Sequence, residues 1–371
     1  MKNQGKRAVV VSGVNLSEGG PLTIYREVLD YLDESSYGNR FQIYGLVHSR
    51  NLFPRYKNVT LLEYPSVKSS WSRRLLFEYH HCKSLSRQLD TYLWLSLHDI
   101  TPNVRASRRA VYCHNASPFY RQNWNRFFKT PLRFLYTRYY SELYRINIRK
   151  NDYVIVQQQW IRNEFVRMYR LVPKKVVVSL PGGRESLPHA VTDGHDSSPF
   201  LFFYPALPRE FKNYEVLCEA VSHLEQCGFT GFELILTMDG GENEYAKRIM
   251  ERYGHLKSIK FVGLQTKEQV EHLYAHVHCL VFPSLLESWG LPISEFKSYD
   301  KPMLVADLPY AYETTGGYEK VRYFDPYDAP ALAVQMELFI KGEAVYNGRG
   351  DVVYEEPLCR NWAELFKLLI S

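Results

Sequence analysis

Short apolar runs alternating with stretches of helical period constrain this chain more tightly than any other feature. "RAVVVSG" (7–13) is a continuous apolar run bounded by glycine, the pattern of a strand buried on both faces. "GPLTIYREVLDYLDE" follows it, with Leu22, Ile24, Tyr25, Val28, Leu29 and Leu32 at helical spacing. The series continues through "FQIYGLVH" (41–48), "NVTLLEY" (58–64), "TYLWLSLH" (91–98), "RAVYCHN" (109–115), "DYVIVQQ" (152–158) and "KVVVSLP" (175–181). It starts again at "PFLFFYPA" (199–206), with "FELILTMDG" (232–240), "IKFVGL" (259–264), "HCLVFPS" (278–284) and "KPMLVAD" (301–307). Helices are expected between these runs, over about 213–226, from about 242, near 266–275 and after Pro292.

Strands alternating with helices in units of about 30 residues imply a parallel sheet covered on both faces. Two such series in a chain of 371 residues imply an α/β protein of two Rossmann-like domains, since one core of that size is uncommon. The first domain is expected over 1–180 and the second over 181–354, opening with the loop-like "PGGRESLPHAVTDGHDSSP". Residues 355–371 read as an amphipathic helix that packs back on the first domain. Ligands of open α/β sheets sit at the carboxyl ends of the strands, so the loops following strands are the places to look.

Charge divides the chain in the same place. Residues 1–180 hold 29 Lys and Arg against 12 Asp and Glu, a net of +17, while the remainder is −11. Such asymmetry supports the boundary and predicts an anionic surface or partner for the first half. Residues 101–150 sharpen this, with eleven Lys and Arg and one acid, Glu142. Interleaved with them are Phe119, Tyr120, Trp124, Phe127, Phe128, Phe134, Tyr136, Tyr139, Tyr140 and Tyr144. Basic and aromatic residues together suit contact with an anionic membrane surface. The alternative is that the aromatics are core and the charges a solvated face. The N-terminus reads as a first strand and not a signal peptide, and no run approaches the ~20 apolar residues of a membrane span. The six cysteines are scattered without metal-ligand spacing, which fits buried thiols in a reducing compartment.

Four post-strand loops carry candidate chemistry. "SGVNLSEGG" sets Gly19 and Gly20 before a helix; it is neither G-x-G-x-x-G nor a Walker A loop, yet paired glycines let backbone N–H groups approach an anion. "YCHNASPFY" puts His114 just past a strand. "YPALPREFKNYEVLCEA" puts Arg209 and Lys212 before a helix, where cations oppose the helix dipole unless an anion lies between. "FPSLLESWGLPISEF" is the most specific. Pro292 suits a first helical position, which leaves Glu287 in the loop and Glu295 one turn inside the helix. Their spacing does not suggest paired acid–base hydrolysis.

With these motifs the sequence resembles retaining glycosyltransferases of the GT-B fold, family 4 type. The resemblance is carried by the E-x7-E motif Glu287–Glu295, by "FFYPALPREFKN", by "FVGL" (261–264) and by "VADLPYAYETTGGYEKVRYFDPYDAPALA" (305–333). The family's G-R-L-x-x-x-K is altered here: Leu207 stands at the arginine position and Arg209 lies three residues before Lys212.

The resemblance implies two Rossmann-like domains with parallel sheets facing a central cleft, the second binding a UDP-, GDP- or dTDP-sugar and the first a saccharide acceptor. It implies that Lys212, with Arg209, neutralises the diphosphate, that Glu295 holds the ribose and that Glu287 holds the donor sugar. Val262, Gly263, Ser288, Trp289, Gly290 and Leu291 would complete the donor site, His114 would contact the sugar near the reacting carbon, and Gly19 and Gly20 would lie near the phosphates and acceptor. No cofactor and no metal are expected.

Two functions therefore stand. One is a metal-independent retaining glycosyltransferase, cytoplasmic and peripheral at the inner face of the membrane, extending a lipid-linked saccharide in bacterial surface polysaccharide synthesis, with no nucleic-acid partner. The other is a non-catalytic nucleic-acid- or membrane-binding protein on a degenerate scaffold of the same fold.

Overall fold

The computed structural model describes residues 5–119, 139–180 and 199–371. The chain divides into two units, one of Met1–Gly183 with Tyr354–Ser371 and the other of Arg184–Val353. Much of the basic, aromatic segment, including Tyr120, Trp124, Phe127, Phe128, Phe134 and Tyr136, lies outside the described residues, as does the loop over 181–198.

The first unit is built on strands β1 (Ala8–Ser12), β2 (Gln42–Val47), β3 (Val59–Glu63), β4 (Thr91–Ser96), β5 (Arg108–Tyr112), β6 (Tyr153–Val156) and β7 (Val176–Ser179). A late two-residue strand, β14 (Leu358–Cys359), joins them. Their order is β14-β7-β6-β5-β4-β1-β2-β3, and the pairings are parallel throughout. Alternate β1 side chains feed two cores. Val9 and Val11 pack with Tyr25, Val28, Leu29 and Leu32 of the helix Gly19–Glu34, while Ala8 and Val10 pack with Phe77, Cys82 and Leu85 on the opposite face. That division is why β1 reads as an unbroken apolar run. The close packing fixes Gly13 too, because a Cβ there would lie 2.4 Å from the Tyr25 ring.

The second unit contains β8 (Phe200–Tyr204), β9 (Phe232–Leu236), β10 (Ile259–Phe261), β11 (Cys279–Phe282), β12 (Met303–Ala306) and β13 (Val321–Phe324). They run in the order β10-β9-β8-β11-β12-β13, again with parallel pairings. The α/β class and the two parallel Rossmann-like sheets expected from the sequence are both present. In each sheet the strand order reverses once, between β1 and β4 and between β8 and β11. Crossovers leave that junction in opposite directions, which opens a crevice at its carboxyl edge.

The chain's last helix, Trp362–Ile370, belongs to the first unit. Asn361 caps it by accepting from Glu364 N at 2.9 Å. Leu365, Phe366, Leu369 and Ile370 enter the core that contains Val9 and Val11, and the Tyr92 hydroxyl donates to the Ile370 carbonyl at 3.1 Å. Among the described residues no helix is long and apolar enough to cross a membrane.

Leu369 is fully buried, so truncating it leaves a cavity as well as removing apolar contact. Leu369→Ala should cost about 2–5 kcal/mol of stability, read as a lowered urea midpoint. A midpoint unchanged from wild type would mean that this helix does not contribute to the first core.

Candidate active site

The reversal between β8 and β11 places the loops after those two strands side by side, and both carry charge. After β8 the chain makes a tight turn, Glu210–Lys212, ended by Asn213 in the left-handed region at φ 57°. Asn213 is buried, and its Nδ2 donates to the carbonyls of Pro283 at 3.3 Å and Pro326 at 2.8 Å. One side chain thus ties the Lys212 turn to the loops after β11 and β13. The Tyr204 hydroxyl donates to the Lys212 carbonyl at 2.9 Å, and Leu285 N donates to the Phe211 carbonyl at 2.7 Å. These bonds hold Lys212 against the β11 loop, where its Nζ meets Glu287 Oε1 at 2.5 Å. Both side chains are largely covered, at 17% and 14% exposure. A cation and a carboxylate so covered are more than surface decoration, since partial desolvation makes leaving either one unpaired costly.

Beyond Glu287, Gly290 takes φ 89° and caps the helix Leu291–Lys297. A Cβ there would lie 3.3 Å from Ile293 and 3.7 Å from Phe282, so backbone conformation and space both favour glycine. Leu291, and not Pro292, is the first helical residue. Trp289 Nε1 donates to Ser294 Oγ at 3.2 Å, and the Thr314 hydroxyl donates to the Trp289 carbonyl. Ser288 is half-buried between Glu287 and Trp289. Glu295 stands on the open side of the helix and accepts from the buried Tyr274 hydroxyl at 3.2 Å. Surrounding protein raises the Glu295 carboxyl pKa and the Tyr274 hydroxyl opposes that rise. Glu287 and Glu295 are therefore not a pair: one is bound to a lysine, the other to a tyrosine.

Val262 and Gly263 follow β10. Val262 is 40% exposed, and Gly263, at φ 69°, faces Asp239 so closely that a Cβ would lie 3.3 Å from its carboxylate. Neighbouring Asp239, Gly240 and Gly241 form a tight loop whose first two N–H groups are held by Glu242 at 2.8 and 3.1 Å. Arg209 is exposed, and among the described residues its side chain makes no hydrogen bond or ion pair. Leu207, at the altered arginine position, is 44% exposed.

The remaining sequence-predicted residues, Gly19, Gly20 and His114, lie in the first unit. Gly19 takes φ 68° as the first residue of its helix, and Glu18 before it supplies no side-chain cap. His114 N donates to Asp99 Oδ1 at 2.7 Å, and its ring stacks on Tyr112 at 4.6 Å. Burial lowers the His114 pKa more than Asp99 raises it, so the imidazole is neutral at pH 7. Its Nε2 is buried without a partner. The same holds for Asn15 Oδ1, His48 Nδ1 and His98 Nδ1, so β1, β2, β4 and β5, four neighbouring strands, each present such an atom at the carboxyl edge. Buried polar atoms are seldom left unpaired, so this edge is built to meet polar groups.

Of the aromatics between 119 and 144 that are described, Tyr140 and Tyr144 are core residues. The Tyr144 hydroxyl donates to Asp99 Oδ1 at 2.7 Å, and Phe119 packs on Phe165 with ring centroids 5.1 Å apart.

Sequence reasoning missed the centre of this edge. Glu78 lies in a π-helical turn, Phe77–His81, and is fully buried. Its Oε1 lies 3.3 Å from His98 Nε2, which also meets Ser12 Oγ at 3.2 Å. Arg74 donates to the His98 carbonyl at 2.9 Å. Burial pushes the Glu78 carboxyl up to about 8, with Arg74 opposing it, and burial pushes the His98 imidazole down, with Arg74 assisting. At neutral pH both groups are uncharged. The available signal was "LHD" at 97–99, directly after a strand, but Glu78 sits in a helix with no pattern to single it out.

A carboxyl that stays protonated in the fold and ionises in the unfolded chain favours the folded state only at low pH. Between about pH 4.5 and 8 the folded state holds the extra proton, so stability falls as pH rises through that window. The slope from this one group is at most about 1.4 kcal/mol per pH unit. Glu78→Gln should flatten the decline in urea-unfolding free energy across that window relative to wild type. Parallel pH profiles for the two proteins would contradict the neutral carboxyl.

Comparison with known proteins bears on both units. The family model described as "Glycosyl transferases group 1" matches residues 167–353, which takes in Arg209, Lys212, Glu287 and Glu295. The O-antigen chain mannosyltransferase RfbU of Salmonella typhimurium is 20% identical over 221 residues, 58% of this chain and 56% of that protein. The O-antigen chain mannosyltransferase B of Escherichia coli is 29% identical over 126 residues, 34% of this chain and 32% of that protein. The chain thus spans about half or less of these curated relatives. Among solved structures, the glycosyltransferase WaaG, involved in lipopolysaccharide biosynthesis, superposes with a TM-score of 0.66 at 13% identity, covering 90% of each chain. That likeness establishes the GT-B fold. By the family model and the fold together, this chain belongs to the glycosyl transferases group 1 family.

Proposed function

We propose that the protein is a retaining glycosyltransferase that moves a hexosyl group from a nucleotide-sugar to a saccharide acceptor in bacterial surface polysaccharide synthesis. The observation that carries this reading is the covered Lys212–Glu287 pair at the point where the second sheet reverses. As the glycosidic bond breaks, the diphosphate gains negative charge and the anomeric carbon becomes cationic. A fixed ammonium at the leaving oxygens lowers that barrier, and loss of one such donor in other enzymes costs about 3 kcal/mol. Lys212 exchanges Glu287 for the diphosphate, and Glu287, freed from the lysine, accepts hydrogen bonds from donor-sugar hydroxyls. Glu295 accepts from the ribose. Exposed Val262 and the Gly263 backbone face the base, and Arg209, with no competing partner among the described residues, adds charge at the phosphates. His114, neutral and with Nε2 unpartnered, meets a sugar hydroxyl.

Transfer on this reading needs no metal, because lysine supplies the charge a divalent cation would. The acceptor is lipid-diphosphate-linked, and the first unit works at the anionic inner face of the membrane, where the net +17 of residues 1–180 is an asset. Relatives described as O-antigen chain mannosyltransferases support the polysaccharide pathway and make a mannosyl donor the first to try.

Thermal unfolding against a panel of UDP-, GDP- and dTDP-sugars tests the reading. A donor at 100 times its Kd should stabilise the protein by about 2.7 kcal/mol. With that donor, Lys212→Ala and Glu295→Ala should each cut transfer by roughly 10²–10³ while far-UV circular dichroism stays unchanged. Undiminished transfer in both variants would remove the site assignment. No response to any nucleotide-sugar would favour a binding protein on a degenerate scaffold.

A further inference from the structure

The first unit has a cavity at the amino edge of its sheet, opposite the carboxyl edge described above. It is a hollow open to solvent at the amino ends of β1, β4 and β5, of about 520 Å³, lined by Arg7, Arg87, Asp90, Thr91, Arg105 and Arg109 among others. All of these residues belong to the first unit. A volume of that order is what small-molecule sites offer. Four guanidiniums against one carboxylate leave the lining at a net of +3.

Little inside the protein offsets that charge. The Asp90 side chain is 77% exposed and approaches only Arg7, at 3.6 Å. Arg7 is otherwise occupied, donating to the Thr91 carbonyl at 3.1 Å and to Ser107 Oγ at 2.7 Å. Arg87 and Arg105 are exposed, and no ion pair among the described residues engages either. Arg109 Nε and Thr91 Oγ1 are buried with no hydrogen-bond partner, and Thr91 as a whole is 2% exposed. An ordinary solvated basic face explains exposed arginines. It does not explain a buried guanidinium nitrogen and a buried hydroxyl left unpaired on two residues that line the same hollow, since leaving such groups unsatisfied is costly.

We propose that this cavity binds a phosphoryl group, as a monoester or a diphosphate, independently of the donor site. A carboxylate would cancel one charge of three. A phosphate ester brings −1.5 to −2 at neutral pH with three strong acceptor oxygens, and guanidinium forks match its geometry in pairs. The group can come from a soluble phosphate compound or from a phospholipid headgroup, and the same pocket chemistry serves both.

Inorganic diphosphate titrated calorimetrically, and co-sedimentation with vesicles of phosphatidylcholine containing phosphatidic acid, separate those sources. The variants are made in the full chain. Arg87→Glu/Arg105→Glu reverses two exposed cations of the pocket and should weaken binding tenfold or more. Arg55→Glu/Lys57→Glu makes the same charge change on an exposed loop of the same unit and should bind as wild type. In a Lys212→Ala background, which removes the diphosphate contact proposed for the donor site, Arg87→Glu/Arg105→Glu should still weaken binding tenfold or more, which separates this cavity from the donor site whatever becomes of that assignment. Diphosphate binding with this pattern supports a soluble ligand, and vesicle binding alone with this pattern supports a headgroup. Binding of neither probe, equal loss in both charge-reversal variants, or no loss in Arg87→Glu/Arg105→Glu would overturn the proposal.

Discussion

A parallel sheet buried on both faces leaves its strands no room for chemistry, and the rest of this molecule follows from that constraint. Each residue inside β1 or β11 points into one apolar layer or the other, so polar function is confined to strand ends. Right-handed crossovers then decide which ends are useful, because only where the strand order reverses do two neighbouring loops part and leave a crevice. Lys212 and Glu287 occupy the loops on the two sides of that point in the second sheet. Ser12 and His98 occupy the corresponding position in the first.

These two junctions handle charge in opposite ways. At the second sheet Lys212 and Glu287 are partly covered and meet directly as a salt bridge. At the first sheet, burial of Glu78 and His98 is complete and desolvation outweighs the 3.3 Å contact between them, so both are uncharged at neutral pH. Neutral imidazoles and a neutral carboxyl recognise hydroxyls by hydrogen bonds and do not bias the site toward anions.

Local patterns made most of the fold legible. Apolar runs and helical spacing locate the long helices Gly19–Glu34 and Tyr214–Gln226 and the strands between them. β14 could not be read this way: two residues carry no period, and its partner β7 lies far off in the chain. In the candidate site, Lys212 and the Glu287–Glu295 spacing were readable because each lies within a short loop and the helix after it. Glu78 was not, since it reaches His98 only through a π-helical turn packed under the sheet. The basic lining at the amino edge was also obscured. Arg7 and Arg105 precede β1 and β5, Arg87 lies in the helix Cys82–Gln88 and Arg109 lies within β5, and the parallel register of β1, β4 and β5 gathers them.

That register gives the net charge of the first half a more specific meaning. A surplus of +17 over 180 residues reads in the sequence as a diffuse attraction to anionic partners, and a diffuse field is screened within about 10 Å at ordinary salt. Guanidiniums gathered around one hollow discriminate between anions by their fork geometry, where a diffuse field cannot. The carboxyl edge of the first sheet carries the neutral imidazoles of His98 and His114, and the amino edge carries four arginines. A single Rossmann-like sheet thereby keeps two polar chemistries apart, separated by the length of strands whose side chains are given over to packing.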